Sequence, residues 1–217
     1  MIYLCYAIMI IVPYLLCGIN TAIIVTKIKT GEDIRTLGSG NAGLTNTLRT
    51  QGKIAALFVL LGDVLKGTLS ILIVRFSFLW LTGTDTADPD NMMTYVGFAA
   101  AVAAIIGHVF PIYFGFKGGK AVATAAAVAL MIDWRVFLSA FAVFAIVAAL
   151  SKTASVSSMS ASVAVAAMTP VFTRNPVLIS LGIFTCLLVL LMHRSNIRRL
   201  ISGTEPHFHF GKHPGKQ

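Results

Sequence analysis

The chain is expected to be an all-α integral membrane protein: seven transmembrane helices, an external N-terminus and a cytoplasmic C-terminus. Three observations predict this. Of 217 residues, 57% are apolar and only 12% charged, whereas soluble domains carry nearer a quarter charged. At a mean hydropathy of +0.84, too little polar surface remains to cover a soluble core, so the apolar surplus must face lipid. The charge is also lopsided, with 17 Lys+Arg against 8 Asp+Glu and a net +9. In a membrane protein that excess points to cytoplasmic loops and an anionic substrate before nucleic acid. Residues 1–217 read as a single membrane-embedded domain ending in a polar tail, 203–217.

The first apolar run, Ile2 to Val25, has no basic residue ahead of it and is followed by Lys27 and Lys29. A cleavable signal carries its positive charge in front, so this run is a retained span. Leu16 before Cys17 is too bulky for a lipoprotein cleavage site. Six more runs follow: Ile54–Leu81, Met92–Phe110, Ala121–Ile132, Val136–Leu150, Ser155–Phe172 and Val177–Met192. Seven crossings from an external N-terminus put 27–53, 111–120, 151–154 and 193–217 in the cytoplasm. Those segments hold 13 of the 17 basic residues; Arg75, Arg135 and Arg174 fall opposite, beside the acidic stretch Asp85–Asp90. This is the positive-inside pattern. The run Ala121–Ile132 spans only about 18 Å against a core of roughly 30 Å. Either Phe116–Lys120 dips into the membrane, or 121–150 is one long helix. The second arrangement would send the basic tail outside, so seven crossings are preferred. Cys5, Cys17 and Cys186 lie in apolar runs and make neither a disulfide framework nor a metal motif.

Three polar blocks carry the chemistry. Leu37–Arg49 holds three glycines within six residues, Gly38, Gly40 and Gly43, which let backbone N–H groups converge on a phosphate. Ser39, Asn41, Thr45 and Asn46 add neutral donors, and Arg49 adds a planar fork suited to phosphate oxygens. The block matches G-x-G-x-x-G, but no strand precedes it, so a dinucleotide site is excluded. In the second block, Gly107–Lys120, the pair Gly118-Gly119 precedes Lys120 at a helix start, which would combine backbone donors with a cation. Lys117 reads as a surface anchor and His108 as a structural hydrogen-bonder. In the third, His193, Asn196 and Arg199 share one helical face; histidine is the usual acid–base group near neutral pH, and Asn can orient a hydroxyl. Arg194 and Arg198 suit anionic lipid headgroups. Asp63 and Lys66, three residues apart in an apolar run, are either a functional pair or a structural salt bridge. His207, His209 and His213 on the polar tail are assigned no role.

Together, Gly38–Arg49, Asp63–Gly67, Gly107–Thr124 and His193–Glu205 resemble, in order, the acyl-phosphate:glycerol-3-phosphate acyltransferases of bacterial membranes. Leu44 stands where that family usually has Ala, Ala121 follows Lys120 where Gly is usual, and the tail after Phe208 is atypical. Ala121 would matter only at a positive φ, which a helix start does not require. The resemblance implies seven spans and an active site facing the cytoplasm of the bacterial inner membrane. It implies acyl transfer from acyl phosphate to the 1-hydroxyl of glycerol 3-phosphate, giving lysophosphatidic acid and phosphate, the first step of phospholipid synthesis. No cofactor, metal, nucleic acid or obligate protein partner is implied. By position, Ser39, Arg49, Lys120, His193 and Asn196 would form the polar pocket, and the Gly38–Gly43 loop would help hold phosphate. The base is expected to be His193, with a substrate phosphate oxygen as its rival. The familiar H-x4-D acyltransferase motif is absent, since Tyr113 occupies its Asp position after His108. A transporter of an organic phosphate is the alternative, although no paired repeat halves support it.

Overall fold

A computed structural model describes residues 2–83 and 94–207, with no strand among them. Met92, Asp85–Asp90, His209 and His213 lie outside the described residues. The helices are α1 (Ile2–Gly18), α2 (Thr21–Thr30), α3 (Leu44–Gln51), α4 (Lys53–Thr82), α5 (Thr94–Val109), α6 (Val122–Ile132), α7 (Trp134–Ser151), α8 (Ala154–Phe172), α9 (Pro176–Met192) and α10 (Arg194–Ile201). The side-chain distribution is that of a lipid-embedded bundle. Trp80, Leu150 and Ile201 are at least 80% exposed, while the interior is rich in Ala, Ser and Thr. Small residues let helices approach closely where lipid tails give no hydrophobic drive. At Gly107, for example, a Cβ would lie 2.2 Å from the Tyr14 carbonyl of α1.

Among the described residues, five segments are long and apolar enough to cross a bilayer: Ala7–Thr30, Lys53–Thr82, Tyr95–Phe114, Trp134–Ser151 and Ala154–Phe172. A sixth is formed if α9 and α10, bent by 56° at His193, count as one. Asn20 carries the chain across the α1–α2 break: its Oδ1 caps Ile23 N–H and its Nδ2 donates to Ala42 O. Asp133 separates α6 from α7, accepting from Arg135 N–H at 2.7 Å, so 121–150 is two helices rather than one. Arg135 also donates to Phe172 O at 3.1 Å, which places the start of α7 beside the end of α8. Meanwhile Arg49, Lys120, Ser155 and His193 line one cavity. The start of α6 and the start of α8 thus meet at the polar end of one cavity, while the start of α7 lies by the end of α8.

At 11 residues, α6 is about 16 Å long, and a backbone hairpin precedes it. Gly118 and Gly119 donate to Val109 O and His108 O, so the backbone folds back alongside the last turn of α5 before α6 begins. Lys120 thus lies level with His108 rather than with the hairpin tip.

Ala121 corrects an expectation. As the residue preceding α6 it adopts φ 56° and ψ 19°, the left-handed region, and it is buried. The backbone turns there directly from the hairpin into the helix, and an L-residue pays about 1 kcal/mol for it. Ala121→Gly should therefore raise stability by about 1 kcal/mol, read by thermal unfolding in detergent. A lower Tm would mean that packing of the methyl group outweighs the strain.

Candidate active site

The cavity, of about 390 Å³, has two kinds of wall. Its polar end is built from α3 and the loop before it, Lys120, and the α9–α10 bend. Its apolar arm runs between α6, α7 and α8, lined by Ala125, Ala129, Phe137, Phe141, Phe144 and Val165. Of the residues expected from sequence, Ser39, Asn41, Gly43, Thr45, Asn46, Arg49, Lys120, His193 and Asn196 all line it. Gly38, Gly40, Gly118 and Gly119 are not among the lining residues.

Gly40, Gly118 and Gly119 spend their amides on backbone carbonyls. Gly38 and Gly40 have φ of 55° and 71° and turn the 37–43 segment. Gly40 N–H is taken by Leu37 O, and Ser39 N–H by Asn46 Oδ1 at 2.9 Å. Asn46 is buried with its Nδ2 donating to Ile34 O and Leu37 O, so its amide organises the loop rather than reaching a ligand. The Gly118 and Gly119 amides are likewise committed to α5. The start of α3 also borders the cavity: Gly43, Leu44, Thr45 and Asn46 line it, and Gly43, the N-cap, supplies no side-chain cap, so this wall is a helix N-terminus, which attracts an anion.

Lys120 is the central cation. Its Nζ donates to Asn196 Oδ1. Burial, reinforced by Arg199 and Arg49 and opposed by Glu205, pulls it down to about 8. Asn196 Nδ2 in turn donates to Glu205 Oε1 at 2.6 Å, fixing which way the amide points. Glu205 also accepts from Ser155 at 2.7 Å and, through Oε2, from Arg199 Nε at 2.7 Å. Desolvation raises the Glu205 carboxyl, but these bonds from Asn196, Ser155 and Arg199 hold it below its ordinary value. Sequence reasoning gave Glu205 no role, although its place two residues after Gly203, past the His193–Arg199 face, was a usable signal. His193 Nδ1 lies 2.8 Å from Val189 O. A carbonyl can only accept, so Nδ1 carries the proton and Nε2 keeps its lone pair in the neutral ring. His207 meets Thr153 Oγ1 at 3.0 Å, away from the cavity lining.

A profile of the family described as glycerol-3-phosphate acyltransferase matches residues 7–203. The chain belongs to that family. It is 42% identical over 207 residues to the glycerol-3-phosphate acyltransferase of Trichormus variabilis, covering 94% of this chain and 91% of the relative. Against that of Clostridioides difficile it is 40% identical over 200 residues, covering 92% and 94%. It superposes with a TM-score of 0.83 and 33% identity on the crystal structure of PlsY (YgiH), an integral membrane glycerol 3-phosphate acyltransferase, in its glycerol 3-phosphate form, covering 93% and 94%. The lysophosphatidic acid form of the same protein gives a TM-score of 0.78. The chain is accordingly a multi-pass membrane acyltransferase.

Proposed function

We propose that this enzyme transfers a fatty acyl group from acyl phosphate to the 1-hydroxyl of glycerol 3-phosphate, releasing lysophosphatidic acid and inorganic phosphate. The single observation that carries the reading is the cavity itself, which joins a cationic end at Arg49 and Lys120 to an apolar arm between α6, α7 and α8. Both substrates carry phosphate, and one carries an alkyl chain that partitions into lipid. The acceptor oxygen attacks the acyl carbonyl and phosphate leaves with the bonding pair. The hydroxyl proton passes to His193 Nε2 or to a phosphate oxygen. Because phosphate is a good leaving group, the protein has mainly to align two anions against their repulsion and to stabilise the oxyanion. Among the described residues no serine hydrogen-bonds His193, whose ring is bonded through Nδ1 to Val189 O, and the absence of a serine on Nε2 favours direct attack over an acyl-enzyme.

The proposed topology has seven crossings with α6 as the short fourth, the N-terminus outside, and the site on the cytoplasmic face of the bacterial inner membrane. The short α6 is supported by the hairpin that begins it beside His108, and the orientation by the basic residues on the cavity face. The test is incubation of purified protein with labelled glycerol 3-phosphate and, in parallel, palmitoyl phosphate, palmitoyl-CoA and palmitoyl acyl carrier protein. Lysophosphatidic acid should form from palmitoyl phosphate alone. Product from a thioester, or none from acyl phosphate, would overturn the donor assignment.

A further inference from the structure

Behind Lys120 lies a polar cluster that the reaction scheme does not use. His108, on α5, is buried, and its Nδ1 lies 3.1 Å from Thr124 Oγ1 in the first turn of α6. Asp63 Oδ1, on α4, lies 3.8 Å from the same nitrogen and accepts from Lys66 Nζ at 2.8 Å and from Thr21 Oγ1 at 3.2 Å. Lys66 also donates to Ile19 O at 2.9 Å, which ties the cluster to the α1–α2 break. An ion pair at this depth survives because each charge keeps a partner. It holds four segments of chain in one place.

The other side of His108 faces the backbone that carries Lys120. A Cβ at Gly119 would lie 2.4 Å from His108 Nε2, and one at Gly118 would lie 2.0 Å from His108 O. His108 O accepts Gly119 N–H at 3.2 Å. The two glycines therefore lie flat against His108, and the strained turn at Ala121 follows at once. From this juxtaposition we propose that His108 and Thr124 are positioning residues for Lys120. His108 sets the height of the Gly118–Gly119 backbone, Thr124 locks the imidazole to α6, and the ammonium is thereby presented to the acceptor's phosphate. A satisfied core histidine would need no such contact with the residues flanking the site cation. The role is a deepening of the acyltransferase reading and rests on it.

Thr124→Val keeps the side-chain shape and removes the hydroxyl. It should raise KM for glycerol 3-phosphate about 10-fold, with kcat and KM for palmitoyl phosphate changed less than twofold and Tm held. Thr124→Ser should restore the wild-type KM. His108→Asn, whose amide can still meet Thr124, should be milder than His108→Leu. An unchanged glycerol 3-phosphate KM in Thr124→Val overturns the proposal, as does a loss confined to Tm and yield. Should His108→Leu fail to fold, the Thr124 pair decides. A wild-type protein that acylates no glycerol 3-phosphate from any donor takes down the acyltransferase reading and this inference with it. An active wild type with an indifferent Thr124→Val takes down the inference alone.

Discussion

Lys120→Ala should lower kcat/KM for glycerol 3-phosphate about 10³-fold, the loss expected when a preorganised cationic donor is removed from a desolvated site, while the protein still inserts and folds. The magnitude follows from where the ammonium sits. It is half-buried at the meeting point of α6 and the α9–α10 bend, held by Asn196, with Glu205 behind that amide to fix its direction. Arg199 is bonded to Glu205, which leaves Lys120 and Arg49 as the cations facing the cavity with most charge to offer. The pH profile carries an independent signature. Burial first, and then the nearby Arg199 and Arg49, pull Lys120 down to about 8. Below that pH it is an ammonium and above it an amine, so KM for glycerol 3-phosphate is flat up to about 8 and climbs beyond it. A bound phosphate favours the charged form, so the fall in kcat comes at higher pH than the fall in kcat/KM. Lys120→Arg keeps its charge across the range and should abolish the climb. Full activity in purified Lys120→Ala would remove this residue from the site.

Much of this site was legible from sequence because charge and amide groups are expensive beside lipid. Arg49, Lys120, His193 and Asn196 stood out against a strongly apolar background, and the structure brings all four to one cavity. The amides of Gly40, Gly118 and Gly119 are taken up within the fold. Their spacing showed that the backbone bends sharply, but not which carbonyls take the freed amides. Those partners, Val109 O, His108 O, Leu37 O and Asn46 Oδ1, come from tertiary packing. That the donors Thr45, Asn46 and Arg49 stand on a helix was missed for a related reason: eight residues, Leu44–Gln51, make too few turns to show periodicity inside a polar segment. Ala121 was misjudged because a helix start on its own places no demand on φ. Here the demand comes from the hairpin doubling back against α5. The Asp63–Lys66 pair, open to two readings from spacing alone, forms a buried ion pair at 2.8 Å with Asp63 also at the cavity wall.

His193→Ala should lower kcat by about 10²-fold or more, the usual yield of a positioned general base, with KM for glycerol 3-phosphate little altered. The orientation of the ring supports this outcome. The Nδ1–H is tied back to Val189 O one turn earlier at 2.8 Å, so the imidazole is held at the α9–α10 bend with Nε2 as its remaining acceptor. His193 lines the same cavity as Lys120 and Asn196, which allows a hydroxyl to approach from the polar end while the acyl carbonyl enters from the apolar arm. A phosphate oxygen of the acceptor is the competing base, and the kinetic split separates the two. Loss of a base appears in kcat, because the proton moves only as the new bond forms. Loss of a phosphate clamp appears in KM, because that contact is made equally in the ground state. His193→Gln sharpens the comparison, since its amide can still hydrogen-bond an oxygen but cannot take a proton. Near-normal kcat in the Gln variant would move the proton to the substrate's own phosphate and reduce His193 to an anchor. A Gln variant as impaired as the Ala variant would leave the imidazole as the base.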